Sequence, residues 1–265
     1  MRRIVFLLYM LMTTGAANAQ DLCTSYIGKT VALTAIETAI AGLANLTPRG
    51  EFETTAQFKA RRAAELRGVT SPVLIRKAPE SQVFFKYDAD AGVLRIESRA
   101  FDFTRMDLWS AFFSVGLHDS VHSLSNITVV ITTSDKVVGS YEATNAYGAK
   151  VKVVEIQRKT SAIFDRKSDE IGASLFPAAG KKPYGVVGEL VLPPAEAQRL
   201  KPQLKLAFVV TPKEPYLVTG SHKVGKTTVT NPRHIIEDFS VLVANIQCGL
   251  VMDGADKVLG AYATR

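Results

Sequence analysis

The chain has little cysteine and little tryptophan, since its 265 residues include two of the former and one of the latter. After residue 20 it also lacks an apolar run of the ~18 residues that a membrane-spanning helix needs. The longest candidate, 101–117, is interrupted by Asp102, Arg105 and Asp107. No Cys-x-x-Cys pair is present, which argues against a thioredoxin-like redox site. We therefore predict no transmembrane segment in the mature chain.

The sequence patterns of common serine hydrolases are missing as well. The chain contains neither Gly-x-Ser-x-Gly nor Ser-x-x-Lys followed by Lys-Thr-Gly. Hydrophobic residues make up 47% and charged residues 22%, which is ordinary for a globular protein. A collagen-like, low-complexity or wholly disordered chain is therefore excluded.

The formal net charge of +7 comes from basic residues that are spread along the chain. They form separate doublets at Arg61/Arg62, Arg158/Lys159, Arg166/Lys167 and Lys181/Lys182. A nucleic-acid-binding surface combines clustered positive charge with stacking aromatic side chains. We therefore expect no nucleic acid partner, whereas contact with an anionic envelope component is consistent with the charge.

The first twenty residues have the three parts of a secretory signal peptide. Arg2 and Arg3 form a basic start, Ile4–Met12 is apolar, and Ala17-Asn18-Ala19 supplies the small residues before a cleavage site. Removal of residues 1–19 from 265 would leave 246, beginning at Gln20. We expect a periplasmic or secreted protein.

Cys23 and Cys248 lie at opposite ends of this mature chain. In an oxidising compartment an isolated pair of cysteines favours a disulfide. A bridge closing so long a loop would stabilise the fold by at most about 5 kcal/mol through chain entropy. The alternative is two separate buried thiols, because free cysteine packs as a small hydrophobic residue.

Residues 24–68 predict helices. Apolar side chains recur there at three- and four-residue steps, at Leu33, Ile36, Ile40 and Leu43. Thr54 followed by Gln57 predicts a capping box, and the Ala-, Arg- and Glu-rich segment 51–67 predicts a second helix that stops at Gly68.

Beyond Pro72 the pattern predicts strands, with one short helix over 193–200. The predicted strands are 73–75, 82–87, 93–97, 127–132, 150–156, 186–192, 204–210, 235–243, 249–252 and 258–262. Because strands follow one another without regular alternation with helices, the predicted class is α+β, with N-terminal helices followed by a mostly antiparallel β-sheet or β-sandwich. The predicted organisation is a signal peptide at 1–19, a helical segment at 20–70 and a β-rich domain at 71–265, with an internal boundary near 176–183.

One stretch, Gly220–Thr227, matches the P-loop pattern letter for letter. A P-loop holds phosphate at the start of a following helix. Here the next residues are Thr228–Pro232, a β-branched run closed by proline, so a helix is excluded. We expect a polar hairpin loop and no nucleotide.

His118 and His122 are spaced to share one face of a helix, as zinc ligands in metallohydrolases do. Asp119 stands where such enzymes have their glutamate base. A third ligand would have to be Asp135, Glu142 or a distant residue. The alternative is two surface or half-buried imidazoles.

Several stretches resemble segments of uncharacterised, exported bacterial β-rich domains. They are the helix-forming stretch 52–61, the stretch 141–149 before a basic strand, the short helix 193–200 and the closing hairpin 250–259. The resemblance implies an exported β-rich module and brings no activity or catalytic residue.

The leading hypothesis is a non-enzymatic, disulfide-linked periplasmic module without a cofactor. Its partner would be an envelope or secreted protein or an anionic envelope component. The alternative is an exported metal-dependent hydrolase that uses His118 and His122 as ligands and Asp119 as base.

Overall fold

The computed structural model describes residues 17–44, 46–47, 49–66, 72–79, 81–102, 127–144, 147–165, 174–176 and 184–264. Its helices are α1 (Ala17–Thr24), α2 (Ile36–Ala44), α3 (Thr55–Glu65), α4 (Arg99–Asp102) and α5 (Pro194–Leu200). Its strands are β1 (Val73–Lys77), β2 (Phe85–Asp88), β3 (Val93–Glu97), β4 (Ile127–Thr144), β5 (Lys150–Asp165), β6 (Val186–Val191), β7 (Lys205–Val224), β8 (Arg233–Met252) and β9 (Val258–Ala263). The described chain is thus mostly β-sheet.

The strands form two sheets. The large sheet has the order β1-β7-β8-β5-β4, and β9 pairs with β8 beyond the end of β5. The small sheet has the order β2-β3-β6. All pairings are antiparallel except that of β5 with β8, which run in the same direction over Val154–Phe164 and Arg233–Val243. The large sheet is therefore mixed, and the predicted mostly antiparallel character holds for the other pairs.

The main core lies between the small sheet and the inner face of the large sheet. Phe85, Leu94 and Ile96 from the small sheet belong to the same buried cluster as Phe208 and Leu242 from the large one. The two sheets therefore share one hydrophobic core.

A cluster of aromatic rings fills the centre of this core. The Phe101 ring lies 4.5 Å from that of Phe176 and 6.0 Å from that of Phe208. Gly249 on β8 faces these rings, and an added Cβ there would lie 2.6 Å from Phe176 and 2.7 Å from Phe101. The absence of a side chain at position 249 is what allows the rings to approach the sheet.

α1 and the residues after it cover part of the outer face of the large sheet. Cys23 is buried there together with Val209, Leu250 and Met252. The Sγ atoms of Cys23 and Cys248 lie 1.94 Å apart, at disulfide distance. This pair connects α1 to the C-terminal part of β8, and Cys23 lies on the mature side of the predicted cleavage site.

One prediction about the N-terminal segment needs correction. Residues 25–35 are not helical, because Thr30 and Thr34 form isolated β-bridges with Lys257 and Ile75. Leu33 therefore lies in extended chain and packs against the buried cluster around Cys23, and α2 begins only at Ile36. The α+β class fits loosely, since the helices are short and few beside the strands. The stop at Gly68 lies outside the described residues.

The capping box is confirmed. Thr54 accepts a hydrogen bond from the Gln57 amide, and the Gln57 side chain accepts one from the Thr54 amide. These reciprocal bonds satisfy two backbone donors at the start of α3.

In the part of the chain that the structure describes, no helix is both long and apolar enough to cross a membrane.

Candidate functional site

A four-residue excursion of β7 builds one wall of a cleft. The register of β7 on β8 jumps from Pro212 to Leu217, so residues 213–216 leave the ladder. Within this bulge Tyr216 has a φ of 70°, in the left-handed region that side chains other than glycine seldom adopt. Such a conformation costs about 1–3 kcal/mol and is found most often at functional sites. The bulge brings Glu214 and Tyr216 towards α3.

The facing wall is one side of α3. Phe58, Lys59 and Arg62 on this helix face Tyr216 and Glu214, and Arg49 lies at the rim. The space between the walls has a volume of about 590 Å³, within the range of roughly 300–1,000 Å³ for small-molecule sites. We call it the α3 cleft.

A network of charged groups holds α3 in place behind the cleft. Arg61 donates to Glu53 at 2.8 Å and to Glu65 at 2.7 Å. The hydrogen bond from Arg61 is the main cause that lowers the pKa of Glu53 to about 2. The Arg61 and Arg62 guanidinium carbons lie 5.4 Å and 5.1 Å from the centre of the Phe58 ring, at cation–π distance.

Among the charged residues that line the α3 cleft, cations outnumber acids. Arg49, Lys59 and Arg62 contribute positive charge, and Glu214 is the carboxylate among the lining residues. The Tyr216 hydroxyl is partly removed from water. Burial raises its pKa, the nearby Glu214 carboxylate raises it further, and Arg62 opposes both. The cleft is therefore suited to an anion that also has apolar surface.

A second, more polar cleft lies between α2 and the inner face of the large sheet, with a volume of about 530 Å³. Its lining includes the hydroxyls of Thr132, Ser134 and Ser240 with the charged groups of Glu37 and Asp238. The Thr132 hydroxyl donates to Glu37 at 2.5 Å. Gln157 donates to Asp238 at 2.7 Å. Much of this polarity is thus satisfied within the protein.

The P-loop-like stretch has a different structure from a P-loop. Gly220–Val224 are the last residues of β7, and the chain turns at Gly225 before β8 starts at Arg233. The predicted polar hairpin is therefore observed. His222 is directed across the sheet, where its Nε2 lies 3.2 Å from Glu237 Oε2.

The structure describes only the two other residues that were considered as ligands of the predicted metal site, Asp135 and Glu142. His118, Asp119 and His122 lie outside the described residues. Asp135 is held by Arg158 at 2.7 Å and 2.8 Å, and that hydrogen bond lowers the pKa of the Asp135 carboxyl. Glu142 is exposed on β4. Among the residues with described positions, no three histidine, cysteine or acidic side chains are grouped to hold a metal ion.

The basic doublets occupy different environments. Arg61 and Arg62 belong to α3 and its cleft, whereas Arg158 and Lys159 point to opposite faces of β5, as neighbours on a strand do. The doublets at 166–167 and 181–182 lie outside the described residues. Arg62 thus lines the α3 cleft, and Lys159 lines the second cleft.

Sequence reasoning missed most of this cleft. Its walls come from residues 49–66 and 214–216, which are far apart in the chain. The local signal was the run Pro212-Lys213-Glu214-Pro215, because two prolines inside a strand pattern indicate an interruption of the ladder. The residues that face this interruption come from a distant part of the chain, so local sequence patterns do not identify them.

Comparisons of this chain with protein-family models, with curated proteins and with solved structures gave no match.

Proposed function

We propose that this protein is an exported binding module that holds an anionic component of the cell envelope in the α3 cleft, and that it acts without catalysis. The observation that carries the proposal is the excess of cationic over acidic side chains around a cleft with aromatic walls. Guanidinium and ammonium groups recognise phosphate and carboxylate by charge-assisted hydrogen bonds. Export is supported by the signal-peptide pattern of residues 1–19.

The arrangement of the walls favours binding. Phe58 lies at cation–π distance from two guanidinium groups, and Tyr216 projects from a bulge of β7 at a residue with a left-handed backbone conformation. Groups held in this way lose little conformational freedom when a ligand enters, and this preorganisation favours affinity. The cations would orient the ligand and the rings would contact its apolar part.

Site-specific photocrosslinking in living bacteria tests this proposal. A benzoyl-phenylalanine replaces Ala63, which lines the α3 cleft, or Ala56, which is exposed on the same helix outside the cleft. We expect the processed protein in the periplasmic fraction, with an adduct at position 63 whose mass shows a phosphate- or carboxylate-bearing envelope molecule. Equal adducts at both positions, or precursor retained in the cytoplasm, would contradict the proposal.

Metal analysis of the same purified protein tests the alternative hydrolase. We expect no stoichiometric metal. About one zinc per chain, lost in the His118→Ala/His122→Ala double variant, would favour the hydrolase and oppose the non-catalytic proposal.

A further inference from the structure

The cations of the α3 cleft differ in how far the protein already engages them. Arg62 donates to the Thr47 carbonyl at 3.0 Å and lies 3.4 Å from Glu65. Arg49 donates through Nε to the Glu53 carbonyl at 2.8 Å. Lys59 is exposed and makes no ion pair among the described residues. A ligand anion would therefore meet Lys59 first, with the outer nitrogens of Arg49 beside it.

The same helix face also carries the apolar lining of the cleft. Phe58 directly precedes Lys59, whereas Ala63 and Leu66 lie further along the helix, and Leu66 is buried. Lys59 and Leu66 are seven residues apart, which corresponds to about 10 Å along a helix at 1.5 Å per residue. Tyr216 lines the cleft from the other wall. Apolar surface thus extends along the cleft from the exposed Lys59 to the buried Leu66.

Resting on the proposed function, we infer that the ligand is an anionic amphiphile. Its phosphate or carboxylate head binds Lys59 and Arg49, and its apolar tail lies on Phe58, Leu66 and Tyr216. Glu214 lies on the wall that carries Tyr216, and Arg62 faces that wall from α3. These two opposite charges leave no excess of either sign beside the tail, which is consistent with an uncharged tail.

Isothermal titration of the purified protein, with its disulfide intact, tests this inference. The probes are decyl phosphate below its aggregation concentration, inorganic phosphate as the head alone, and decyl maltoside as the tail on an uncharged head. We expect decyl phosphate to bind about tenfold or more tightly than either of the other two, a difference of about 1.4 kcal/mol.

Three variants locate the site. Lys59→Glu reverses the charge at the head position and should weaken decyl phosphate binding about tenfold or more. Lys223→Glu makes the same change at an exposed position on β7 and should leave binding unchanged. Phe58→Leu should weaken the binding of decyl phosphate and leave that of inorganic phosphate as it was. Thermal unfolding of each variant shows whether the fold is kept.

The unfavourable outcomes are distinguishable. Equal affinity for decyl phosphate and inorganic phosphate, both lost in Lys59→Glu, overturns the amphiphile and leaves the anion-binding module standing. Equal weakening by Lys59→Glu and Lys223→Glu overturns the assignment of the ligand to this cleft. Failure of both anions to bind overturns the inference and the proposed function together.

Discussion

At the scale of single residues, the Glu237 carboxylate is held by partners from two neighbouring strands of the large sheet. Its side chain is almost completely buried, accepts a hydrogen bond from the Thr160 hydroxyl at 2.5 Å and lies 3.2 Å from His222 Nε2. Thr160 and His222 lie on the strands that flank β8. The carboxylate therefore links three strands at the point where the buried part of the sheet ends.

Replacement of Glu237 by alanine should lower the free energy of unfolding by about 1–3 kcal/mol, because the buried Thr160 hydroxyl loses its acceptor. Urea denaturation measures this change. Glu142→Ala, the same substitution at an exposed position of β4, should change the free energy by less than about 0.5 kcal/mol. Equal effects of the two substitutions would show that the link across the strands is unimportant.

The partly buried Tyr262 side chain makes stability depend on pH in the alkaline range. Burial raises the pKa of Tyr262 from 10.0 to about 12. Below pH 10 the phenol keeps its proton in both the folded and the unfolded chain, so its contribution is constant. Between pH 10 and about 12 the unfolded chain loses the proton more readily, so the free energy of unfolding falls.

This fall should reach about 2 kcal/mol and level off above pH 12. Denaturation at a series of pH values, compared between the wild type and Tyr262→Phe, isolates it from the other groups that titrate there. The variant should lack this part of the decline. If both proteins decline in parallel, the phenol titrates normally in the folded state.

At the scale of elements, close packing of β8 against the aromatic core depends on Gly249. Gly249→Ala should destabilise the fold by about 1–3 kcal/mol, since the added methyl group would overlap Phe101 and Phe176. Gly42→Ala is the matched control, because position 42 lies inside α2 with no atom within 4 Å of an added Cβ. That change should stabilise the helix by about 0.5–1 kcal/mol.

Both effects can be read from thermal or urea unfolding. The two substitutions have opposite expected signs, so a common error in the assay cannot imitate the result. Destabilisation by both, or by neither, would contradict the close approach of the rings to β8.

The elements differed in how far sequence predicted them. β3 was predicted with its observed limits, and α3 was found from its capping box, because both depend on local patterns. The segment 25–35 was wrongly predicted as helix, because its apolar residues are spaced three to four apart. Extended chain that pairs with the rest of the protein at two separate places can show the same spacing. The exposed half of β7 was missed because its residues are polar on both faces and only pairing with β8 makes them a strand.

The candidate site was less predictable than the fold for the same reason. Phe58, Lys59 and Arg62 belong to a helix whose face could be drawn from the sequence. Tyr216 belongs to a strand interruption that two prolines indicate. That the two lie opposite each other follows from how α3 and the bulge of β7 are placed on the large sheet.

At the scale of the whole molecule, the pairing of Cys23 with Cys248 joins positions 225 residues apart. The Cys23→Ser/Cys248→Ser variant should lose about 2–5 kcal/mol of stability, because its unfolded chain is less restricted. Wild-type protein unfolded with and without reductant gives the same comparison without mutation. Alkylation of denatured protein without reductant should label neither cysteine, and labelling of both would refute the bridge.

β8 is the strand on which β5, β7 and β9 all depend, and it follows most of the other elements in the chain. Cys23 and Thr30 are among the first residues described. Cys23 pairs with Cys248 in β8, and Thr30 pairs with Lys257, which follows β8. A polypeptide that crosses a membrane from its amino end would emerge with these early residues long before the strand that receives them. In an exported chain the large sheet could close only after nearly the whole chain had arrived, and until then the β4–β5 hairpin would need protection from aggregation.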